Sequence, residues 1–235
     1  MDTGRNFTNI TRRIMGVEHS CDNIQNFMSD SPWSSWQVFR EIQNQINRDP
    51  DFCNGILTVD ESGDQKSGDK TAGTGNQYSG RLRKKEIVQT GVVLGYYKDG
   101  NWAMVDSELY IKKEWFEEAN ADKLKKTCIP KDKKFMTKAQ IALEMILRAK
   151  QNGLQFSAVT GDAIYGRDGS LRRALDEQGI TYMLDNSTDF TVYLEKPEFA
   201  APRSPRPYSR PGTVNRIKAV SVKSLLNHPG VFLKK

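Results

Sequence analysis

The sequence is organised around one stretch, Ile56-Leu57-Thr58-Val59-Asp60-Glu61-Ser62. Its first four residues favour a β-strand, which leads directly into two carboxylates. Because side chains alternate along a strand, Asp60 shares a face with Ile56 and Thr58. Glu61 points to the opposite face, so only one of the two acids can reach a site above the sheet. A single aspartate at a strand end proves little, since the same residue commonly caps a turn.

A second run of this kind lies far along the chain and also ends in an aspartate, Phe156-Ser157-Ala158-Val159-Thr160-Gly161-Asp162. In α/β sheets, functional side chains collect at the carboxyl ends of the strands. If the two strands are parallel neighbours, Asp60 and Asp162 project side by side. Two carboxylates at such a short separation repel each other. A shared divalent cation such as Mg²⁺ or Mn²⁺ relieves the repulsion. A pair of such ions can activate water and stabilise the leaving oxygen of a phosphodiester.

Periodicity and turn signals predict the other elements. The turn Lys98-Asp99-Gly100-Asn101 separates two β-rich runs, Val88–Tyr97 and Trp102–Ile111, and predicts a hairpin. Capping residues and apolar spacing predict helices over 31–48, 112–119, 137–152 and 171–178, and short strands over 181–184 and 191–195. The glycine-rich loop over 63–80 is predicted to approach a phosphate, with a flexible hairpin loop as the alternative. The expected fold is α/β, a mixed five-stranded sheet with flanking helices.

Charge points to a polyanionic partner. Lysine and arginine outnumber aspartate and glutamate by 35 to 29, which gives a net charge of +6. The excess is concentrated in four clusters, Arg81–Lys85, Lys123–Lys126, Lys131–Lys134 and Arg203–Lys218. Basic clusters predict nucleic-acid binding, although a solvated charged face explains any one cluster equally well.

Cysteine and histidine usage excludes several other kinds of chemistry. The three cysteines, Cys21, Cys53 and Cys128, follow no metal-binding spacing and indicate reduced thiols in a cytosol-like compartment. The two histidines, His19 and His228, lie far apart and have no partnering motif. A zinc hydrolase or a histidine-dependent nucleophile is therefore not expected. No apolar run is long enough to cross a membrane, so no membrane association is expected.

Several motifs between Phe27 and Glu195 occur together in one protein family: Phe27–Trp33, Val59–Ser62 with Lys66–Gly68, Gln77–Gly80, Val105–Tyr110 and Asp162–Gly166. On these motifs the chain resembles bacterial insertion-sequence transposases of the DDE type, closest to the insertion-sequence seven-hundred-one group. The resemblance implies an RNase H-like fold in which Asp60 and Asp162 are the first two catalytic acids and metal ligands. It also implies a two-metal site for Mg²⁺ or Mn²⁺, with transposon ends and target DNA as partners.

The basic residues and this resemblance together predict which side chains contact DNA: Lys66, Lys70, Gln77, Tyr78, Arg81, Arg83, Lys84 and Lys133. The resemblance is compatible with a homo-oligomer. It implies a bacterial, cytoplasmic location associated with the nucleoid.

The chain departs from the family pattern at the third acid, which the family carries as a glutamate on a helix after the last core strand. Glu195 and Glu198 follow the fifth predicted strand, but Pro197 opposes a helix there, so neither is assigned. We expect an N-terminal helical segment over 1–50 and an RNase H-like core with two acids over 51–196. A Pro/Arg-rich linker and a truncated C-terminal piece are expected over 197–235, which leaves the fold incomplete at the C-terminus.

Three functional hypotheses follow from the sequence. The first is a transposase fragment with little or no strand transfer on its own. The second is a catalytically dead DNA-binding or regulatory remnant that competes with a full-length transposase. The third takes Asp162–Gly166 as a nucleotide or phosphosugar loop in a flavodoxin-like enzyme. The antiparallel hairpin over 88–111 counts against the third hypothesis, because flavodoxin-like sheets are mostly parallel.

Overall fold

The computed structural model of the chain describes residues 7–14, 22–68, 70–79, 84–127, 129–198 and 217–225. Two compact units are present, Met1–Glu41 and Ile42–Lys235. In the first unit, helices α1 (Phe7–Ile14) and α2 (Asp22–Asp30) contact each other. None of the helices in these described ranges is both long and apolar enough to cross a membrane. The division at residues 50 and 196 remains a prediction.

Helix α3 (Ser35–Arg48) spans the boundary between the units, and the other elements follow in the second unit. Its strands are β1 (Gly55–Gln65), β2 (Gly75–Ser79), β3 (Lys84–Lys98), β4 (Asn101–Tyr110), β5 (Phe156–Gly161), β6 (Tyr182–Leu184), β7 (Thr191–Val192) and β8 (Val220–Ser221). Its helices are α4 (Ala121–Lys126), α5 (Lys138–Gln151), α6 (Ala163–Gly166), α7 (Gly169–Glu177) and α8 (Val222–Leu225), with 3₁₀ turns at Lys113–Phe116 and Glu118–Asn120.

Strand β1 lies at the centre of a mixed six-stranded sheet. It pairs antiparallel with β3 on one side and parallel with β5 on the other. Beyond β5, strand β6 continues the parallel side, while β4 and β2 pair antiparallel with β3. Strands β7 and β8 form a separate two-stranded sheet. The mixed α/β prediction is confirmed, and the antiparallel pairing of β1, β3 and β4 excludes the flavodoxin-like alternative.

The structure corrects the strand count, because the expected glycine-rich loop contributes strand residues at both ends. Strand β1 continues to Gln65, and Gly75–Ser79 forms β2 against the first residues of β3. Glycine density suggested a loop, but hydrogen bonding to the long strand β3 determines the conformation of both segments. The hairpin prediction is confirmed, with Asp99 and Gly100 both at positive φ, as a tight two-residue turn requires.

Helix α5 builds the core on one face of the sheet. The predicted capping box is present: Thr137 accepts a hydrogen bond from the Gln140 amide, and the Gln140 side chain accepts one from the Thr137 amide. The buried face of α5 packs with side chains of β1, β3 and β5, including Ala142, Met145, Ile146, Ala149, Leu57, Val59, Leu94 and Val159. Burying each large aliphatic side chain contributes about 1.5–3 kcal/mol. We call this the covered face.

The opposite side of the sheet, here called the open face, carries Ile56, Thr58 and Asp60 of β1. Strand pairing places four further large apolar side chains on this face, Tyr97, Trp102, Met104 and Met183. All four are exposed, and Trp102 and Met183 retain about three quarters of their accessible surface, at 77% and 76%. The two faces therefore differ sharply, since α5 packs against one and large apolar side chains of the other are exposed.

Tyr96 joins the beginnings of the two strands that carry the candidate acids. Its buried hydroxyl donates to the Gln155 carbonyl (2.9 Å) and accepts from the Gly55 amide (2.5 Å). Tyr96→Phe should leave both backbone groups unpaired and lower the free energy of unfolding by about 1–3 kcal/mol in urea denaturation. The neighbouring Tyr97→Phe is the matched control, because Tyr97 is exposed. Equal effects of the two variants would contradict this role of Tyr96.

Candidate metal centre

Asp60 and Asp162 occupy adjacent positions on neighbouring parallel strands. The β1–β5 ladder ends at the pair Val59 and Gly161, and each aspartate is the next residue. Neighbouring strands lie about 4.8 Å apart, and alternation directs both side chains to the open face. The expected parallel neighbourhood is therefore present. The expectation that both strands end at their acids holds only for β5, since β1 continues to Gln65 beside β3 alone.

Each aspartate is oriented by a hydrogen bond from nearby backbone. Asp60 Oδ1 accepts from the Glu61 amide at 2.8 Å, and Asp162 Oδ1 accepts from the Ile164 amide at 2.9 Å. The second carboxylate oxygen of each residue has no hydrogen-bond partner among the described residues, and both side chains are exposed. One oxygen of each acid is thus fixed in place and the other is accessible to a ligand.

The donor set fits a hard divalent cation. Carboxylate oxygens are the protein ligands that Mg²⁺ and Mn²⁺ prefer, and such ions commonly complete their coordination with water and substrate phosphate. Within the described ranges, no group of three or more His, Cys, Asp or Glu side chains could hold a metal ion. A metal site at Asp60 and Asp162 would therefore take two protein ligands from this part of the chain.

Glu61 lies beside Asp60 but on the covered face, where two side chains contact it. Its Oε2 accepts from the Tyr165 hydroxyl at 2.9 Å, and its Oε1 is 2.7 Å from Lys138 Nζ. Only 17% of the Glu61 side chain is accessible. Glu61 therefore contacts α5 and α6 rather than the open face, as strand alternation predicted.

Tyr165 is fully buried below the two acids. Burial raises its pKa far above the usual value, and the carboxylates of Glu61, Asp162 and Asp60 raise it further. The hydroxyl consequently stays protonated and donates to Glu61. The ring packs under Gly161, where a Cβ would lie 3.4 Å from Tyr165 Cδ2.

Among the described residues, those predicted to contact DNA do not form one cluster. Lys66 pairs with Asp64 at 2.5 Å, and Asp64 is four residues beyond Asp60 on the same face, about 13 Å along the strand. Lys70 is exposed, and Lys84 at the start of β3 pairs with Glu86. Arg81 and Arg83 lie outside the described residues, as does the side chain of Tyr78.

Lys133 lies on the other side of the sheet from Asp60. Its Nζ is 2.6 Å from Glu108 Oε1, and Glu108 Oε2 lies 3.9 Å from Arg148 Nη2 of α5. Because Glu108 pairs across the ladder with Val92, it belongs to the covered face. A phosphate contact by Lys133 would have to compete with this ion pair, and it would lie away from the two aspartates.

Side chains anchor the glycine-rich segment before β2. Trp115 Nε1 donates to the Thr74 carbonyl at 2.8 Å, and Gln89 Nε2 donates to the Ala72 carbonyl at 2.7 Å. A freely flexible hairpin loop therefore does not describe residues 72–74. Gln77 lies on β2, where its Nε2 is buried and has no hydrogen-bond partner among the described residues.

Glu195 and Glu198, left unassigned from the sequence, are exposed and follow β7. The described residues 193–198 contain no helix, in agreement with the effect expected of Pro197. Sequence reasoning missed two residues of the site, Tyr165 and Lys138. Strand alternation had placed Glu61 on the covered face, where a half-buried carboxylate needs a hydrogen-bond or ion-pair partner. That need was the one signal that could have indicated Tyr165 and Lys138.

Comparisons with known proteins identify relatives of the chain. A family model described as "DDE superfamily endonuclease" matches residues 1–227. A protein of Microchaete diplosiphon, named "Probable transposase for insertion sequence element IS701", is 27% identical over 177 residues. That match covers 73% of this chain and 42% of the relative, so the chain spans less than half of the relative's length.

A solved structure, "Crystal structure of the Mos1 mariner paired end complex with Mn", matches 77% of this chain and 54% of its own at 13% identity. Its TM-score of 0.27 is too low to carry an argument about fold or function.

Proposed function

The chain belongs to the DDE superfamily of endonucleases, and we propose that it supplies the first two acids of a transposase active site. The observation that carries the proposal is the placement of Asp60 and Asp162 side by side on the open face, at the end of the β1–β5 ladder. The similarity to a protein named as a probable insertion-sequence transposase supports the same assignment.

In this proposal, Asp60 and Asp162 hold divalent cations, Mg²⁺ or Mn²⁺, through their accessible oxygens. Bound there, such a cation lowers the pKa of a coordinated water and neutralises charge on the phosphate and the leaving oxygen. The reaction is hydrolysis of one DNA strand at a transposon end, after which the freed 3′-hydroxyl attacks target DNA. The two aspartates position the reacting oxygens, and no covalent bond to the protein is required.

The proposed partner is DNA at the open face. Lys66 and Lys70 are the described candidates for phosphate contacts there. Lys84 and Gln77, which pairs with Glu86, lie on the covered side by strand alternation from Val92. Phosphate contacts depend strongly on salt, because phosphate binding releases counterions. Assembly into a homo-oligomer and a location at the bacterial nucleoid are parts of the same proposal.

Metal titration tests the assignment of the two acids. We expect calorimetry to show a Mn²⁺ site in the wild-type chain that Asp60→Asn or Asp162→Asn weakens at least about tenfold, since each variant removes a ligand charge. Asp64→Asn is the matched control, because this exposed acid lies on the same strand and face and pairs with Lys66. Unchanged affinity in both acid variants would refute the assignment.

A catalytically dead DNA-binding remnant is the second candidate. The observation in its favour is that the described residues supply only two carboxylates to the candidate site. DNA binding without divalent metal binding would establish this alternative. Mg²⁺-dependent cleavage of a transposon end by this chain alone would refute it.

A further inference from the structure

A hydrogen-bonded group on the covered face connects the two elements that carry the candidate acids. It consists of Glu61 on β1, Tyr165 on α6 and Lys138 at the start of α5, and we call it the Glu61 clamp. We infer that the Glu61 clamp sets the separation of Asp60 and Asp162, which makes Tyr165 and Lys138 positioning residues for the metal site. This inference rests on the proposed function of the two aspartates.

On the β1 side, the clamp is joined directly to Asp60. The Asp60 carboxylate accepts a hydrogen bond from the backbone amide of Glu61, the residue whose side chain the clamp holds. The Glu61 side chain points to the covered face, so fixing it limits rotation of the strand at this position. Asp60 on the opposite face is thereby limited as well.

On the α6 side, the clamp is joined to Asp162 through one helical turn. The amides of Tyr165 and Gly166 donate to the Asp162 carbonyl at 3.1 and 3.0 Å, and the Ile164 amide donates to its carboxylate. The Tyr165 hydroxyl then donates to Glu61 at 2.9 Å. One side-chain hydrogen bond therefore closes a loop of contacts that includes both aspartates.

The chemistry of the clamp keeps Glu61 out of the metal site. Lys138 neutralises its carboxylate at 2.7 Å, and the fully buried Tyr165 hydroxyl has its pKa raised by burial and by nearby carboxylates, so it remains a donor. Both oxygens of Glu61 are therefore occupied on the covered face. Groups that orient metal ligands in this way commonly change metal affinity by about 10–100-fold when they are removed.

The test compares Tyr165→Phe with Tyr182→Phe by calorimetric titration of Mn²⁺. Tyr182 is the matched control, because its hydroxyl also contacts a carboxylate, Asp176 at 3.3 Å, at a site away from the aspartates. We expect Tyr165→Phe to bind Mn²⁺ about tenfold more weakly than wild type and Tyr182→Phe to match wild type. Equal affinity of folded Tyr165→Phe and wild type would overturn the inference.

A metal-free measurement separates this inference from the proposed function. Amide hydrogen exchange at Glu61 and Ile164, the two donors to the aspartates, should be faster in Tyr165→Phe than in Tyr182→Phe. Unchanged exchange at both amides would overturn the inference, whereas absence of Mn²⁺ binding by the wild type would overturn the proposed function. If Tyr165→Phe does not fold, Lys138→Met replaces it in both measurements. We then expect weaker Mn²⁺ binding and faster amide exchange at Glu61 and Ile164 than in wild type.

Discussion

Gly166→Ala should lower the free energy of unfolding by about 3 kcal/mol or more, measured by urea denaturation. Gly166 is buried at the end of α6, and a Cβ there would overlap the Asp185 carbonyl oxygen and lie 2.8 Å from its carbon. These are backbone atoms, and the Asp185 amide is itself held by the Gly161 carbonyl at 3.0 Å. Relief of the overlap therefore requires α6 to move, together with the turn that begins at Asp162.

Gly169→Ala is the matched control for this prediction. Gly169 is the first residue of α7, and a Cβ there would meet only Arg172 Nη2, at 3.7 Å. The same chemical change should thus alter stability by no more than about 1 kcal/mol, and in the stabilising direction, since alanine favours a helix. A similar loss in both variants would show that the backbone overlap at Gly166 is not the cause.

Asp106→Ala should lower the free energy of unfolding by about 3 kcal/mol, because it breaks the ion pair between this buried carboxylate and the partly buried Arg148. Asp106 is 5% exposed; its Oδ2 accepts from Arg148 Nε at 2.8 Å, and its Oδ1 accepts from the Ser107 amide at 2.8 Å. Burial lowers the pKa of Arg148, but the hydrogen bond and charge of Asp106, together with the charges of Glu108 and Glu144, outweigh burial and raise it overall. Removal of the carboxylate leaves the guanidinium charged and without its closest partner.

Two further variants show whether the ion pair accounts for that cost. Asp106→Leu combined with Arg148→Met removes both charges, and it should recover most of the lost stability, because apolar replacements of a buried pair are well tolerated. Asp64→Ala disrupts an exposed pair with Lys66 and should cost less than about 1 kcal/mol. A double variant no more stable than Asp106→Ala alone would contradict this explanation.

The adjacency of Asp60 and Asp162 could be predicted in part from local sequence patterns. Two β-rich runs that lead into aspartate, with a capped amphipathic helix before the second, place these residues together once the strands are parallel neighbours. The hairpin turn at Asp99 and Gly100 was equally predictable, since few residue pairs adopt positive φ twice in succession.

Other features depend on contacts between distant residues and left little trace in the sequence. Strand β2 forms within a glycine-rich segment because β3 is longer than its pairing with β1 requires. The first residues of β3 are therefore available to pair with β2. Lys133 belongs to a basic cluster, yet Glu108 across the fold binds it. Tyr165 follows Asp162 in a short motif, but only the folded chain brings its hydroxyl to Glu61. The DNA-contacting roles of the basic residues remain predictions.

The two sides of the sheet differ in what lies against the aspartates. On the covered side, the fully buried Tyr165 lies close to both, and the apolar side chains of α5 pack into the core. If the proposed function is correct, a DNA strand held by Asp60 and Asp162 lies on the open face, which also carries the exposed side chains of Met183 and Ile56. Sugars and bases of such a strand would share this face with apolar side chains, which would restrict the docking angle of the substrate.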